Sequence, residues 1–178
     1  MDRAPVRQLL VEYREAHPAE QEVADRFLAF VDAHPDVLHR TCLAGHVTAS
    51  CWILNPEGTE CLLTHHRKLG RWLQLGGHVD GNANLLAGAV REVQEESGIL
   101  ELHVHPVPVD LDIHPIPARG DEPAHLHLDV RYLLRAPKGA REIVSEESHA
   151  LGWFSPTELA EIDTDESVQR LFRVAFGL

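Results

Sequence analysis

Three carboxylates in a short segment are the strongest chemical signal in the chain. Glu92, Glu95 and Glu96 are spaced so that a helix would place them on one face. Water can solvate such a face, at a cost of about 0.2–0.5 kcal/mol for each like-charged pair. Alternatively, a divalent cation can use the carboxylates as ligands, because magnesium and manganese take hard oxygen donors.

Histidine is the second signal, because the chain has 13 of them. His125, His127 and Asp129 alternate along a segment that resembles a strand, so their side chains project to one face. His103 and His105 form another alternating pair. Each ring alone is most simply explained as part of a polar sheet face, or as a histidine whose nitrogens are hydrogen-bonded.

Helical patterns precede and follow these residues. The first predicted helical segment is residues 5–33, within which Pro18 starts a second piece. The other predicted helices are residues 84–97, residues 165–176 and a short helix opened by Ser155-Pro156-Thr157-Glu158. The helix over 84–97 carries the three glutamates and has Asn82 or Asn84 as its cap. Its apolar side, which we expect to pack on a sheet, consists of Leu86, Ala89, Val90 and Val93.

Extended patterns occupy much of the remainder. Strands are predicted from Gly45 to the turn at Asn55-Pro56-Glu57-Gly58, from Cys61 onwards, within residues 101–114, over residues 125–134 and at Trp153-Phe154. Gly76, Gly77 and Gly81 predict a glycine-rich turn. Prolines limit the 101–114 segment to an edge strand and a loop. This order of elements predicts an α/β fold with a mixed or antiparallel sheet.

The composition fits a single globular domain with a short extension. Of the 178 residues, 44% are hydrophobic and 25% are charged, which is enough to form a core. The 28 acidic residues outnumber the 16 Lys and Arg residues, so the net charge is -12. Nucleic acid polymers and anionic membranes would be repelled, and we expect neither as a partner. A small phosphorylated substrate is still compatible with this negative charge, because a bound metal or a few local cations can make the electrostatic potential positive at the site.

The cysteines and the apolar segments indicate in which cellular compartment we expect the protein. No apolar run approaches the ~20 residues that span a bilayer, and no apolar signal core follows Met1. Cys42, Cys51 and Cys61 form no closely spaced pair motif. An odd number of cysteines without an export signal is typical of reduced thiols, so we expect a cytoplasmic protein.

The acidic helix also belongs to a longer motif. Gly77 is followed, at matching spacing, by Arg91-Glu92-Val93-Gln94-Glu95-Glu96-Ser97-Gly98-Ile99. This run resembles the Nudix box, whose pattern is Gly, five residues, Glu, seven residues and then Arg-Glu-U-x-Glu-Glu-x-Gly-U, with U bulky and apolar. The first Glu of that pattern falls on Ala83. In the family that Glu supports the metal cluster or the catalytic water, and Asp80 is the nearby acid that would have to compensate.

The resemblance implies a metal-dependent hydrolase. Nudix hydrolases typically cleave a diphosphate linkage in nucleoside diphosphates linked to another group, with Mg²⁺ or Mn²⁺ neutralising charge and activating water. By carry-over, Glu92 and Glu96 are the leading metal ligands, together with the carbonyl of Gly76. The catalytic set would be Glu96, Glu95 as auxiliary ligand or base, and Arg91, which orients the glutamates.

Two further positions are implied by the resemblance. Many family members place another acid in a loop before a Trp-Phe strand, and here Glu147 precedes Trp153-Phe154 at suitable spacing. Glu147 is therefore a candidate ligand or general base, with a solvated acidic loop as the alternative. Gly98 is expected to end the box helix with positive φ.

Cations that could meet a substrate phosphate are few. Arg67, Lys68 and Arg71 lie in the loop before the glycine-rich segment, and Arg131 follows His127 on its strand. One interpretation is an ordinary soluble loop. The functional hypothesis is that one or two of these side chains guide a phosphate into the acidic site.

The histidines resemble those of another Nudix-fold enzyme, isopentenyl-diphosphate isomerase, which uses a histidine-and-glutamate metal site. Gly77-His78 resembles its Gly-His after the central turn, and His46 resembles the histidine before its Ser-x-Trp segment. Its paired carboxylates fall near His125 and His127. We hypothesise that His46, His78, His125 and His127 converge and bind a second metal such as zinc or manganese, or contact phosphate when protonated. Rings more than ~10 Å apart would exclude a shared ion.

The sequence thus predicts an α/β Nudix fold, an α/β/α sandwich around a mixed β-sheet, with an N-terminal helical extension. Residues 1–42 would form the helical segment packed on the domain, and residues 43–178 the Nudix hydrolase domain. The partner would be a small phosphorylated molecule, and a homodimer is compatible with the family. Two alternatives stay open: a catalytically weak nucleotide-sensing module, favoured by Ala83, and an isomerase-like enzyme.

Overall fold

The computed structural model describes residues 3–146 and 148–177. Its helices are α1 (Ala4–Ala16), α2 (Gln21–Ala33), α3 (Leu85–Ser97), α4 (Pro156–Leu159) and α5 (Glu166–Phe176), with a 3₁₀ turn at Pro18–Glu20. All the predicted helical segments are therefore present. The first predicted segment is two helices that separate at His17, where the backbone leaves helical geometry before Pro18.

The strands are β1 (Gly45–Leu54), β2 (Cys61–His66), β3 (Trp72–Leu73), β4 (Leu75–His78), β5 (His103–Val104), β6 (Asp110–Ile116), β7 (His125–Arg135) and β8 (Ser148–Phe154). They form a sheet with the order β3-β2-β1-β7-β5, in which β4 pairs with β1, β6 with β7 and β8 with β2. Strands and helices together confirm the predicted α/β fold class.

The glycine-rich segment differs from its prediction. Gly76 and Gly77 lie inside β4, which pairs with β1, so they are strand residues and only Gly81 lies in a turn. Gly76 has φ 144°, a conformation that glycine adopts without a steric penalty. The strand was missed because main-chain pairing defines it, and its short glycine-rich sequence has no side-chain alternation.

The chain divides into two compact units. The first comprises the chain up to residue 49 with residues 77–88 and 111–130. Within it, α1 and α2 pack through buried side chains, namely Val6, Leu10 and Tyr13 on α1 and Ala24, Phe27 and Val31 on α2. Exposed ion pairs flank this contact, with Arg7 3.0 Å from Asp32 and Arg14 2.6 Å from Asp25. The predicted boundary between residues 42 and 43 stays a prediction.

The second unit comprises residues 50–76, 89–110 and 131 onwards. Its apolar core contains Trp52, Leu54, Cys61, Leu63, Leu159, Val168 and Leu171. Antiparallel pairing sets Ile53 opposite Leu62 and Cys61 opposite Phe154. Asp165 caps α5 by accepting a hydrogen bond from the Val168 N–H at 3.0 Å. Among the described helices, none is both long enough and apolar enough to cross a bilayer.

Candidate active site

Helix α3 presents the box glutamates, and local interactions define both of its ends. The Asn84 side-chain oxygen accepts from the Ala87 N–H at 3.1 Å, which confirms Asn84 as the cap. Asn82 accepts from the Asn84 N–H at 2.9 Å and so orders the approach to the helix. At the other end, Gly98 has φ 70°, as predicted, and its N–H donates to the Gln94 carbonyl at 2.9 Å.

The packing of α3 selects one of the three glutamates for burial. Ala89 and Val93 are buried and Leu86 and Val90 are half-buried, so the predicted apolar side is correct. Glu96 shares this inward direction and is only 9% exposed. Its Oε2 accepts a hydrogen bond from the Gly76 N–H at 3.0 Å. The structure therefore brings together Glu96 and Gly76, two of the predicted metal-binding residues.

Arg91 lies between the other two glutamates. Its guanidinium is 2.6 Å from the Glu92 carboxylate and 3.1 Å from that of Glu95. The Glu92 side chain is 21% exposed, whereas that of Glu95 is 60% exposed. These ion pairs are the contacts that an orienting role for Arg91 requires.

The donor set of the box fits a hard divalent cation. Within residues 3–146 and 148–177, the box glutamates do not form a group of three whose ligand oxygens lie within 4.8 Å of one another. Magnesium does not require such a cage, because it is usually held by one or two carboxylates with water and substrate phosphates. Glu92, Glu96 and the Gly76 carbonyl match that pattern. Glu95, which is more exposed and paired with Arg91, fits an auxiliary role.

Among the residues that the structure describes, Asp80 does not replace the missing first glutamate. Ala83 lies in the bend between Asn82 and Asn84. Asp80, the acid that would have to compensate, has φ 47°, and both of its carboxylate oxygens are 2.9 Å from the Arg40 guanidinium. We therefore do not propose Asp80 as a replacement ligand. Glu147 lies outside the described residues.

Three of the predicted phosphate-binding cations lie in the exposed loop between β2 and β3. Arg67 donates to the Ser148 carbonyl at 3.3 Å, and the Arg71 Nε is 3.7 Å from the Asp163 carboxylate. Both contacts are of the kind that an arriving phosphate can displace. Arg67, Lys68 and Arg71 thus remain candidates for a phosphate contact.

Arg131 needs a correction. Its side chain is 0% exposed, and its guanidinium is 2.9 Å from the Asp110 carboxylate. It also donates to the carbonyl and the hydroxyl of Ser167, while Arg170 binds the second Asp110 oxygen at 2.7 Å. A guanidinium buried in this way cannot reach a phosphate, so we assign Arg131 a structural role.

The four predicted histidines lie together in the first unit. The ring centroid of His46 is 4.9 Å from each of those of His78, His125 and His127. His46, His125 and His127 each offer one ligand atom within 4.8 Å of the other two. His78 packs against His46 and, at 5.4 Å, against His127, but it does not belong to that three-atom group.

Burial favours the neutral form of His46, His78 and His127. It lowers the pKa of His127 to about 3 and that of His78 to about 4, with the neighbouring histidines and Arg40 among the further causes. The pKa of His46 is also lowered, chiefly by burial. Neutral imidazole is the form that binds a metal, whereas contact with phosphate would need the protonated form.

Two residues beside this cluster were not predicted. The Glu122 carboxylate is 3.8 Å from His125 Nε2, and the His114 ring centroid is 5.6 Å from that of His127. Their sequence signal is weak, because Glu122 lies in a proline-containing loop and His114 lies on a different strand from His127. Only the pairing of β6 with β7 brings His114 near the cluster.

Comparison with known proteins assigns the box to a family. Residues 44–174 match the family described as the NUDIX domain. The chain belongs to the Nudix family. This membership confirms the resemblance seen in the box and the prediction of a Nudix hydrolase. No curated protein has a sequence that matches this chain significantly.

Solved structures of the Nudix family share the fold. A NUDIX-family hydrolase from Clostridium perfringens has a TM-score of 0.60 and 21% identity, covering 74% of this chain and 96% of that one. A C. elegans Ap4A hydrolase binary complex has a TM-score of 0.61 and 20% identity, with 74% and 95% covered. The E. coli dihydroneopterin triphosphate pyrophosphohydrolase has a TM-score of 0.59 and 17% identity, with 71% and 92% covered. At these identities, the likeness shows the Nudix fold alone.

Proposed function

We propose that the protein is a metal-dependent Nudix hydrolase that cleaves a diphosphate linkage in a small nucleoside-diphosphate-type molecule. The observation that carries this proposal is the buried Glu96 carboxylate, held on the box helix against Gly76. An acidic side chain is retained in such a place when its charge is compensated, and a hard divalent cation does this. Mg²⁺ or Mn²⁺ is the cation that the oxygen donors favour.

The residues of the box have separable roles in this proposal. Glu92, Glu96 and the Gly76 carbonyl hold the cation, which when bound neutralises the diphosphate charge and lowers the pKa of water. Arg91 fixes the direction of Glu92 and Glu95 through its two ion pairs. Glu95 serves as an auxiliary ligand or base. Glu147 is proposed from the sequence as a further ligand or base.

Similar structures suggest which substrates to test. Two of them are named for Ap4A and for dihydroneopterin triphosphate, and both compounds contain linked phosphates. The exposed cations Arg67, Lys68 and Arg71 would offset part of the protein's negative charge as such an anion approaches. We therefore expect a phosphorylated small molecule as the substrate.

The test is a substrate screen with product identification. The full chain is incubated with nucleoside triphosphates, dinucleoside polyphosphates, ADP-ribose, nucleotide sugars, NADH and coenzyme A, each with magnesium, manganese or zinc. We expect two phosphate-containing products from one compound class, seen by mass spectrometry and abolished by EDTA. Absence of cleavage from every compound with every metal would contradict the proposal.

A nucleotide-sensing module is the second candidate function. Ala83 favours it, because the acid that the family places there is missing and Asp80 is bound to Arg40. Saturable binding of a nucleotide without product in the same screen would support this candidate. An isomerase-like activity is not proposed, because Cys42, Cys51 and Cys61 are all buried and supply no exposed thiol.

A further inference from the structure

A cluster of imidazoles in the first unit takes no part in the proposed hydrolysis. His46 lies near the start of β1, and His125 and His127 lie at the start of β7. Positions two apart on a strand project to the same side, which explains why the two β7 rings both meet His46. One ligand atom from each residue lies within 4.8 Å of the other two. A tetrahedral zinc site with bonds of ~2.0–2.1 Å needs nitrogens about 3.3 Å apart, so small ring rotations would close it.

Three ring nitrogens of this cluster are buried without a hydrogen-bond partner. His46 is 2% exposed and neither of its ring nitrogens is hydrogen-bonded. His125 is 7% exposed and its Nε2 is likewise unsatisfied. Buried polar atoms are nearly always paired in folded proteins, so several unpaired nitrogens that face one another need an explanation. A shared cation would satisfy one nitrogen from each ring.

The hydrogen bond of His125 prepares it as a ligand. Its Nδ1 is 2.9 Å from the Pro123 carbonyl oxygen. A carbonyl oxygen only accepts hydrogen bonds, so Nδ1 carries a hydrogen and Nε2 is the nitrogen left to coordinate a cation. Metal-binding histidines are oriented in this way, with the second ring nitrogen donating to a backbone carbonyl or a carboxylate.

We propose that His46, His125 and His127 bind one divalent cation of the zinc class. None of these three residues is among the Nudix-box ligands. Imidazole nitrogen suits zinc and its neighbours in the transition series, whereas magnesium prefers oxygen. Glu122, whose carboxylate is 3.8 Å from His125 Nε2, is the fourth ligand or holds a bound water. His78 packs against two of the rings and limits their rotation.

A second group of potential ligands provides a control. His34, Asp36 and Cys42 also place ligand atoms within 4.8 Å of one another. However, burial and a hydrogen bond to Asp36 raise the pKa of the Cys42 thiol, which disfavours the thiolate that binds metal. None of these atoms is an unpartnered buried nitrogen, so we assign the cation to the histidine cluster.

Cobalt and zinc titrations test the proposal. Chelator-treated full chain is titrated with Co²⁺, whose visible spectrum reports its coordination, and then with Zn²⁺, which displaces it. We expect one tightly held equivalent, and a higher melting temperature when it is bound. A His127→Gln variant should lose more than about 100-fold in affinity, which exceeds the loss typical for an outer hydrogen-bond partner.

Matched variants locate the ion. His103→Gln removes an exposed histidine, and Cys42→Ser removes a ligand of the second group; both should bind as the wild type does. A Glu92→Gln/Glu96→Gln double variant should also retain the equivalent, although its magnesium-dependent turnover is lost. Loss of the tight equivalent in that variant, or its persistence in a folded His127→Gln protein, would overturn the proposal.

X-ray absorption of the wild-type zinc complex removes any dependence on how the variants fold. Three imidazole ligands in the scattering pattern would support the site, and a spectrum dominated by carboxylate or water oxygens would refute it. Because this readout does not involve turnover, refutation of the histidine site would leave the hydrolase proposal standing, and failure of the hydrolase would leave the histidine site standing.

Discussion

Arg131 retains its charge although none of its side chain is exposed. Asp110 compensates that charge, and Arg170 binds the same carboxylate from α5 at 2.7 Å. Burial raises the pKa of Asp110, and the two guanidinium groups act against that shift. This arrangement links β6, β7 and α5 within the second unit, so its role is structural.

Removing the counter-charge should be costly. Asp110→Asn leaves the Arg131 guanidinium buried without its carboxylate, and breaking such a pair typically costs about 3–5 kcal/mol. We expect a loss of that size in the free energy of unfolding, measured by urea denaturation. Asp25→Asn is the control, because its ion pair with Arg14 is exposed to water and should contribute little to stability. Equal losses in the two variants would contradict the structural role of Arg131.

Residues of the candidate site differed in how far sequence could predict them. Arg91, Glu92 and Glu96 were found because they lie on one helix, where spacing in sequence fixes spacing in space. Arg131 was misassigned because its partner Asp110 is on another strand and no local pattern joins them. Glu122 was missed for a different reason: it is only three residues before His125, but it meets His125 through the shape of a loop, which spacing in sequence does not define.

Helix α3 shows how a single glycine ends an element. Gly98 has φ 70°, and a Cβ placed there would lie 3.1 Å from the Ile143 Cβ. The Ile143 N–H donates to the Ser97 carbonyl at 2.7 Å, so the Ile143 backbone is held and cannot easily retreat. Position 98 therefore disfavours a side chain through both its conformation and its surroundings.

Gly98→Ala should destabilise the protein more than a matched change in open space. Gly120 also has positive φ, at 57°, but a Cβ there would meet nothing within 4 Å. Gly120→Ala should cost about 1 kcal/mol from backbone strain alone, and Gly98→Ala should cost more, because the Ile143 contact is added. Urea denaturation of both variants measures the difference, and an equal or smaller loss at Gly98 would show that Ile143 yields freely.

Elements with side-chain periodicity were predicted well, and those defined by the main chain were not. Helix α3, strand β1 and the turn at Asn55-Gly58 follow from apolar spacing and turn residues. Strand β4 was taken for a turn, because Gly76 and Gly77 have no side chains to alternate. The error concerned a segment of the candidate site, since β4 holds Gly76 against Glu96.

At the scale of the whole molecule, the two sets of candidate ligands suit different cations. The net charge of -12 reflects 28 acidic residues against 16 Lys and Arg residues, and only a few of the acidic residues lie in the box. The box offers oxygens to a hard cation, and the histidine cluster offers imidazole nitrogens to a softer one. The expected cytoplasmic location and the homodimer remain predictions, for which fractionation and sedimentation are the measurements.

The central claim is that the Nudix box catalyses metal-dependent diphosphate cleavage through Glu96. Its most direct test compares wild type, Glu96→Gln and the exposed Glu101→Gln control on the cleaved compound with magnesium. A glutamine can still accept a hydrogen bond from the Gly76 N–H, so Glu96→Gln should retain the wild-type melting temperature. Its kcat should fall by at least about 100-fold, which is the lower bound for loss of a positioned catalytic group. Glu101→Gln should match the wild type. A folded Glu96→Gln protein with wild-type kcat would contradict the account.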